Sequence, residues 1–272
     1  MRIHSAKNKK RLSRLSTVHR PLSTKDVKSP SIQTFKHQSI VFDQFAKDYD
    51  IGHTKAVSAS GFTPAYFHEY KAIELYEYLK SRGKEKEKLT LLDFGCGTGN
   101  AEKYLKKHLP NLIISACDIS PESVKVAEKE NQSLQDIVYK PFDGLNIPFE
   151  QTFDIVYIAN VFHHIPRRLQ QEAMKNIAAK LKDSGFLMMF ELNPLNPLTM
   201  WVAIQNDYKF DKESKLLNPL YTRRLLKRNG LSKAEIRFTV FFPSFLSFLK
   251  KSEKFLRWLP LGAQYYYLAK KR

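Results

Sequence analysis

The chain has 272 residues, of which 43% are hydrophobic and 12% aromatic, so it can bury a sizeable core and is not disordered throughout. Its formal net charge of +18 favours polyanionic partners such as nucleic acid, anionic lipid or an acidic protein. The longest apolar stretch, residues 238–249, contains Pro243 and is too short to span a bilayer, so no transmembrane segment is expected.

The N-terminal segment is the most basic part of the chain. Residues 1–41 hold ten lysines and arginines against a single acid, Asp26, and they are rich in serine with little apolar periodicity. Such a segment cannot offset the entropy lost on ordering, so we predict a basic, disordered tail ahead of one domain at 42–272. Arginine and serine enrichment is also typical of an organelle transit peptide, and this alternative stays open.

Cysteine usage and the N-terminus bear on the compartment. The chain has two cysteines, Cys96 and Cys117, which are too few for a disulfide framework and indicate a reducing compartment. No apolar run follows the N-terminal charges, so no secretory signal is predicted. A cytoplasmic protein is therefore expected, either soluble or attached to a membrane surface.

The predicted elements begin with two helices and continue as an alternation of strands and helices. Apolar residues recur at helical spacing over 42–49 and 64–81. Strands of a doubly wound, parallel α/β sheet are then expected, because apolar runs separated by helices pair through right-handed crossovers. Strands are predicted at 89–94, 112–117, 137–142, 153–159, 185–192, 234–242 and 263–268, and helices at 100–108, 121–131, 168–181 and 222–229.

A glycine-rich loop follows the first strand of this sheet. The sequence Asp93-Phe-Gly95-Cys-Gly97-Thr-Gly99 stands at the carboxyl end of the strand, where doubly wound sheets bind their ligands. Glycine allows sharp turns and close ligand approach, and free amides at a helix start bind a carboxylate. A nicotinamide-binding turn is the alternative, but there the third glycine follows the second by three residues instead of two.

Polar residues end the next three predicted strands. Asp118 closes the second strand, where a carboxylate accepts hydrogen bonds from ribose hydroxyls. Asp143 and Gly144 follow the third strand, and Asp143 is predicted to receive an adenine amino group. Asn160 ends the fourth strand. Because these strand ends meet at one edge of the sheet, they outline a nucleoside without phosphates; a solvated strand-end carboxylate is the alternative for each acid.

These motifs resemble those of class I S-adenosylmethionine-dependent methyltransferases, in the small-molecule branch that includes quinone-biosynthesis enzymes. The resemblance also rests on His-His-Ile-Pro at 163–166, Leu-Lys-Asp-Ser-Gly at 181–185 and a lid-like helix containing Tyr49. It implies a seven-stranded Rossmann-like sheet with an antiparallel last strand, and S-adenosylmethionine as the cofactor. The cofactor would contact Tyr49, Asp93, Gly95, Cys96, Gly97, Gly99, Asp118, Ile119, Asp143, Gly144 and Asn160. No metal site is predicted.

His163, His164 and Glu191 are the predicted catalytic residues. Both histidines follow the fourth strand, and a neutral imidazole near pH 7 is suited to accepting a proton. Glu191 ends the fifth strand, on the same edge of the sheet. A base is needed only when the acceptor must lose a proton. The alternative is that at least one histidine packs beneath the next helix and has no part in the chemistry.

Two later segments bear on the methyl acceptor. An insertion at 193–220 begins with Asn193-Pro-Leu-Asn196-Pro-Leu, which we predict to be a loop on the acceptor side, because proline interrupts helices. Residues 241–261 mix aromatic with basic side chains, a composition typical of helices at membrane surfaces. The alternative for this segment is an inserted helix that roofs the substrate pocket, with its lysines in solvent. A small-molecule or lipid-linked acceptor is expected. The alternatives are a nucleic-acid or protein substrate held by the basic tail, and a non-enzymatic binding module, which the intact loop acids disfavour.

Overall fold

The computed structural model of the chain describes residues 30–46, 54, 57, 60–205 and 215–271. The predictions for residues 1–29 and for Tyr49 lie outside these residues. In the described part, seven strands form one sheet in the order β3-β2-β1-β4-β5-β7-β6. The strands are β1 (Thr90–Phe94), β2 (Ile113–Asp118), β3 (Ile137–Pro141), β4 (Phe153–Ala159), β5 (Leu181–Leu192), β6 (Leu231–Thr239) and β7 (Gln264–Lys271).

The strand directions confirm the predicted doubly wound fold. β1 pairs in parallel with β2 and β4, and parallel pairing extends to β3 on one side and β5 on the other. β7 lies between β5 and β6 and is antiparallel to both, as expected for the last strand. The chain runs outward from β1 to β3 and then returns to β4 on the other side of β1. This reversal opens a crevice between the carboxyl ends of β1 and β4.

Helices cover both faces of the sheet, as a mostly parallel sheet requires. No helix within the described ranges is long and apolar enough to cross a bilayer. The helices are α1 (Pro30–Phe45), α2 (Pro64–Lys80), α3 (Glu102–His108), α4 (Pro121–Glu130), α5 (Gln170–Ala179), α6 (Pro197–Gln205), α7 (Pro219–Arg228) and α8 (Glu253–Leu256), with 3-10 segments at Phe162–His164 and Ser244–Ser252.

Alternating side chains along the strands supply two apolar cores. On β4, Val156 and Ile158 pack in the core that contains residues of α5 and α7, whereas Ile155 and Tyr157 pack in the core that contains residues of α2 and α3. This division follows from the two-residue period of a strand. The sheet is therefore buried on both faces, and its carboxyl edge is left for ligands.

The predicted domain boundary at residue 42 falls inside α1. Helix α1 begins at Pro30, so it takes in residues assigned to the tail from their composition. Phe35 supplies the physical reason: its side chain is 3% exposed and packs in the core beside Gly144. A segment with the composition of a disordered arm is therefore attached to the folded domain by one buried aromatic ring.

The segment around β5 also differs from prediction. The run 193–198 is not loop throughout, since α6 begins at Pro197. Proline is tolerated in the first turn of a helix, where its missing amide has no intrahelical partner, and Asn196 Oδ1 accepts from Thr199 N at 2.8 Å as a cap. β5 itself begins at Leu181 instead of residue 185, and its ladder with β4 shifts register between Phe153 and Ile155.

Replacing Gly144 tests whether Phe35 holds α1 on the body. Gly144 has φ +91°, and a Cβ there would collide with the Phe35 ring, whereas Gly83 has φ +68° and open space around it. We expect Gly83→Ala to lower the free energy of unfolding by about 1 kcal/mol, the cost of a left-handed alanine. Gly144→Ala should lower it by about 1–3 kcal/mol more because of the collision. Urea denaturation measures both.

The double variant Phe35→Ala/Gly144→Ala separates the collision from the backbone strain. In the Phe35→Ala background, Gly144→Ala should lower the free energy of unfolding by no more than Gly83→Ala lowers it in the unaltered chain. The reason is that the Phe35 ring is no longer there for the new Cβ to meet. Equal costs of the two glycine substitutions in the unaltered chain would contradict the packing of Phe35 against Gly144.

Candidate active site

A cavity lies in the crevice at the carboxyl ends of β1, β2 and β4. It encloses about 780 Å³ of empty space, part of it open to solvent. The wall combines α1, the glycine loop and the residues that follow the strands. Seven of the residues predicted from the sequence line it, namely Gly95, Gly97, Asp118, Ile119, Gly144, Asn160 and His164.

The glycine loop is fixed by hydrogen bonds to the end of β2. The backbone amides of Gly95 and Cys96 donate to the Cys117 carbonyl at 2.8 and 3.1 Å. Gly95 has φ +83°, and a Cβ on it would meet the Val161 side chain at 2.5 Å. Gly97 has φ +55° with no atom within 4 Å of the equivalent position. Gly95 therefore permits close packing against the turn after β4, whereas Gly97 leaves open space beside the cavity.

Asp118 connects this loop to the start of α4. Its carboxylate accepts from the backbone amides of Gly97 and Ser120, each at 2.9 Å. Burial raises the pKa of Asp118, while these two hydrogen bonds oppose the shift. Ser120 Oγ in turn donates to the Asp43 carboxylate on α1 at 2.6 Å. The carboxylate that lines the cavity is thus held in place from both sides.

Asn160 supplies a polar atom that lacks a partner. Its backbone has φ +59°, an uncommon conformation for a residue other than glycine, and its amide donates to the Phe190 carbonyl at 2.9 Å. Within the described residues, the buried side-chain oxygen Oδ1 has no hydrogen-bond partner. A buried unpaired acceptor costs free energy, so its place in a cavity wall fits a site that receives a donor from a ligand.

Helix α1 closes the cavity with aromatic side chains. Phe35 and Phe42 line the wall from α1, and Gln38 between them donates to the His164 carbonyl at 2.8 Å. Phe94 and Phe142 add an edge-to-face pair with centroids 5.2 Å apart. Phe35 and Gln38 were missed because they fall in the segment assigned to the tail. The seven-residue interval between Phe35 and Phe42 was the available signal for an apolar helix face.

The predicted catalytic residues lie next to one another, with His163 and Glu191 buried and His164 partly exposed. His163 Nδ1 lies 2.6 Å from the Glu191 carboxylate, whose other oxygen accepts from Phe162 N at 2.9 Å. The ring of His164 stacks at a tilt on that of His163, with centroids 4.1 Å apart, and lines the cavity. Burial, with the neighbouring His163, lowers the pKa of His164 well below its usual range. His164 is therefore neutral near pH 7, and Glu191 orients the turn behind it.

Other predicted site residues lie behind the cavity wall. Asp93 is buried beneath the loop, and burial, together with the nearby Glu102 carboxyl, raises its pKa well above the usual range. Burial also raises the pKa of Glu102 to about 7. Asp143 accepts from the backbone amides of Leu145 and Asn146 in its own turn. Cys96 and Gly99 are likewise outside the wall, so these positions support the loop from behind.

Lys71 is a buried charge that the sequence did not reveal. It lies on α2, is 2% exposed, and its amine is 5.5 and 5.9 Å from the ring centroids of Tyr70 and Phe190. Burial lowers the pKa of Lys71 to about 7, and the charge of Glu191 opposes that shift. Lysine on an amphipathic helix normally faces solvent, so no pattern in the sequence pointed to this position.

Comparisons with known proteins agree with this geometry. Residues 92–187, which contain the glycine loop, Asp118 and Asn160, match the family described as a methyltransferase domain. Residues 92–187 therefore have the sequence of a methyltransferase domain. The cofactor of such domains is S-adenosylmethionine. A solved S-adenosylmethionine-dependent methyltransferase from Thermotoga maritima superposes with a TM-score of 0.60, covering 87% of this chain and 100% of that one. At 16% identity, this likeness shows the fold alone.

Two relatives of the chain are named for different methyl acceptors. The chain is 28% identical over 165 residues to a demethylmenaquinone methyltransferase of Thermotoga maritima, covering 60% of this chain and 65% of that protein. It is 32% identical over 111 residues to a tRNA N(3)-methylcytidine methyltransferase of Schizosaccharomyces pombe, covering 38% and 44%. The matches thus span less than two thirds of either relative.

Lys71 makes the stability of the fold depend on pH. The amine has an ordinary pKa of 10.5 in the unfolded chain and about 7 in the folded one, so between these values the unfolded state binds the extra proton. Stability therefore rises with pH through this window. We expect Lys71→Met to raise the free energy of unfolding at pH 7 and to flatten its rise towards about pH 10. Urea denaturation across this range measures both effects.

The exposed Lys86 provides the matched control, since Lys86→Met removes the same side-chain charge from the surface. It should leave both the stability at pH 7 and the pH slope close to those of the unaltered chain. A Lys71→Met variant that keeps the full pH slope, or that is less stable at pH 7, would contradict the burial of this amine.

Proposed function

We propose that this protein is a methyltransferase that moves a methyl group from S-adenosylmethionine to a small-molecule or lipid-linked acceptor. The observation that carries the proposal is the convergence of three features on one cavity: the open glycine position at Gly97, the carboxylate of Asp118 and the unpaired Oδ1 of Asn160. Each stands at the carboxyl end of a different strand, β1, β2 or β4.

The wall has the chemistry that a charged nucleoside ligand requires. Asp118 is a hydrogen-bond acceptor suited to the ribose hydroxyls, and the aromatic rings of Phe35, Phe42 and Phe142 provide an apolar slot for a base. Asn160 Oδ1 is suited to receive the ammonium group of the methionine part. Asp143 is the weaker of the two strand-end acids for this purpose, because Asp118 lines the cavity and Asp143 does not.

The protein's part in the reaction is alignment and exclusion of water. When bound, S-adenosylmethionine supplies an electrophilic methyl group; the acceptor's electron pair forms the new bond to carbon, the carbon–sulfur electrons stay on sulfur, and an acceptor O–H, N–H or C–H loses a proton. In-line displacement needs the two reactants held at near-contact distance, and such positioning is worth about 7–11 kcal/mol. Helix α1 covers the cavity and keeps the reacting atoms from solvent.

His164 is the residue suited to take the acceptor's proton. It lines the cavity, and its imidazole is neutral near pH 7, the form that accepts a proton. Because burial lowers its pKa, His164 is a weak base, which suits an acceptor whose proton becomes acidic as the methyl group is transferred. Glu191 bonds His163 and the Phe162 amide, which fixes the 3-10 segment that carries both histidines. In this proposal His164 is the base, and His163 and Glu191 are positioning residues.

A polyanionic substrate is the second candidate. One relative is named for methylation of a tRNA cytidine, and residues 1–41 carry ten lysines and arginines against one acid. Basic segments bind nucleic acid chiefly through phosphates, without reading sequence. For this second candidate the cavity and its chemistry are the same, and the basic N-terminal segment binds the nucleic acid that carries the acceptor.

Substituting Asp118 tests the cofactor site. Titration calorimetry of the full chain with S-adenosylmethionine should give saturable binding, and Asp118→Ala should weaken it by about tenfold to a hundredfold, because hydrogen bonds to a charged acceptor are worth about 1.5–3 kcal/mol. Asp143→Ala should weaken binding less. If the unaltered, folded chain does not bind S-adenosylmethionine, the result contradicts the proposal.

Two further variants complete that experiment. Asp183→Asn removes a carboxylate that is 95% exposed, and it should leave the affinity for S-adenosylmethionine unchanged. His164→Gln should keep the cofactor affinity within a few-fold while slowing methyl transfer by about a hundredfold or more, as expected for loss of a base. If His164→Gln keeps the full rate, the acceptor needs no base from this residue.

Removing the basic segment separates the two acceptor classes. Deleting residues 1–29 leaves α1 intact, and for a nucleic-acid methyltransferase it should abolish RNA binding that falls steeply with salt. For a small-molecule or lipid-linked acceptor, methyl transfer should survive the deletion. Gel-shift titrations with tRNA at several salt concentrations, alongside transfer to extracted small molecules and lipids, give the two readouts. Loss of all transfer on deletion, together with transfer to RNA by the full chain, would favour the second candidate.

A further inference from the structure

Large apolar side chains are exposed on two neighbouring parts of the methyltransferase domain. The first part is α6 with the loop before it, where Trp201 is 55% exposed. The second part is the 3-10 segment Ser244–Ser252, α8 and the turn that follows, where Phe245 is 78% and Trp258 74% exposed. We call these two parts together the outer apolar surface. Its members are Leu195, Leu198, Trp201, Ile204, Phe245, Phe248, Phe255, Trp258 and Leu261.

Hydrogen bonds join the two parts into one surface. The side-chain amide of Asn193 donates to the carbonyls of Pro260 and Gly262 at 3.1 and 2.7 Å. The Asn196 amide donates to the Leu261 carbonyl. The loop before α6 is therefore tied along its length to the turn after α8. The two parts therefore adjoin where residues 193–196 meet residues 260–262.

The second part is held firmly on the body of the domain. The amine of Lys250 stacks on the rings of Phe62 and Tyr66, 4.0 and 3.9 Å from their centroids. Arg257 pairs with Glu74 on α2 at 2.6 Å, and its carbonyl accepts from Phe238 at the end of β6. Polar and cationic contacts thus anchor the inner side, and the aromatic side chains are left facing outward.

Within residues 195–204 and 244–261, the exposed charged side chains are all basic. Glu253 is the single acid between residues 244 and 261, and its carboxylate is turned inward, where it accepts from the backbone amides of Phe241 and Phe242 at 3.1 and 3.2 Å. Lys251 and Lys254 remain exposed beside Phe248 and Phe255. Residues 195–204 of the first part contain no charged side chain. The outward face therefore combines aromatic rings with positive charge.

We infer that the outer apolar surface docks the protein on an anionic lipid bilayer. Tryptophan and phenylalanine are suited to the boundary between headgroups and acyl chains, and lysine nearby adds attraction to anionic lipid. A protein partner would need acidic groups opposite Lys251 and Lys254, and a second copy of this chain would place those lysines against one another. The one-signed charge therefore favours a lipid surface over a second copy.

The surface also stands at the same edge of the sheet as the cavity. Leu192 at the carboxyl end of β5 pairs with Gln264 at the start of β7, and the outer apolar surface is built from the chain on either side of that pair. Docking would thus bring the carboxyl edge towards the bilayer. If the proposed methyl transfer holds, an acceptor dissolved in lipid has a short route to the cavity; docking itself does not depend on that activity.

The two tryptophans of the chain allow a direct test, because both Trp201 and Trp258 belong to the outer apolar surface. We expect the fluorescence of the full chain to shift to the blue and to be quenched by brominated acyl chains when vesicles of phosphatidylcholine and phosphatidylglycerol are added. Flotation with the same vesicles gives the bound fraction. Vesicles of phosphatidylcholine alone should bind more weakly, since each basic residue near an anionic surface adds about 1 kcal/mol.

Two double variants keep both reporters in place. Phe245→Ser/Phe248→Ser removes apolar contact and should weaken vesicle binding by about tenfold or more. Lys251→Glu/Lys254→Glu should weaken binding to the anionic vesicles by a similar factor. The matched controls are Val138→Ser, an exposed apolar residue on β3, and Lys86→Glu/Lys88→Glu, exposed lysines ahead of β1. Both controls should bind vesicles as the unaltered chain does.

Three results would overturn the inference. The first is vesicle binding without a change in tryptophan fluorescence, which would place the contact elsewhere, as on the basic N-terminal segment. The second is equal binding by the surface variants and their controls. The third is a dimer, detected by light scattering without lipid, that Phe245→Ser/Phe248→Ser dissociates. Calorimetry with S-adenosylmethionine on the same variants should give unchanged affinity, so a failure of docking is distinguishable from a failure of the proposed activity.

Discussion

The site depends on how the chain leaves β1. Two amides of the glycine loop donate to the carbonyl of Cys117, and a third donates to the Asp118 carboxylate. These bonds bend the chain sharply at the place where the strand order reverses, and left-handed backbone at the glycines makes the bend possible. The cavity, the positions of Asp118 and Asn160, and the room for a ligand all follow from that bend.

Helix α1 is a second constraint, and it acts on the same place. Phe35 packs against Gly144 after β3, Asp43 accepts from Ser120 after β2, and Gln38 donates to the His164 carbonyl after β4. One helix thus contacts the ends of three strands. Because each contact is a single side chain, the cover over the cavity is joined to the loops that carry the polar groups, and movement of one implies movement of the others.

Much of the fold was predictable because its signals are local and repeated. β4 has the predicted bounds of 153–159. The glycine loop, Asp118 and Asn160 lie at the strand ends that the predicted alternation of strands and helices indicated. The start of α1 was not predictable from composition, since one buried ring outweighs many basic neighbours. The helix at Pro197 depends on a cap by Asn196, a local bond that overrides the usual effect of proline. The burial of Lys71 depends on long-range packing against β5, which no local pattern records.

The position of β7 has a consequence for how the domain assembles. β7 is the last strand in sequence, yet it lies between β5 and β6 and pairs with both. During synthesis β6 emerges before its partner exists, and the edge of β5 stays open until residues 264–271 arrive. The five parallel strands can pair in the order in which they are made, whereas the antiparallel half must wait. Contacts of long sequence separation are slow to form, so we expect β7 to pair late, with the open edges of β5 and β6 exposed to wrong pairing until it does.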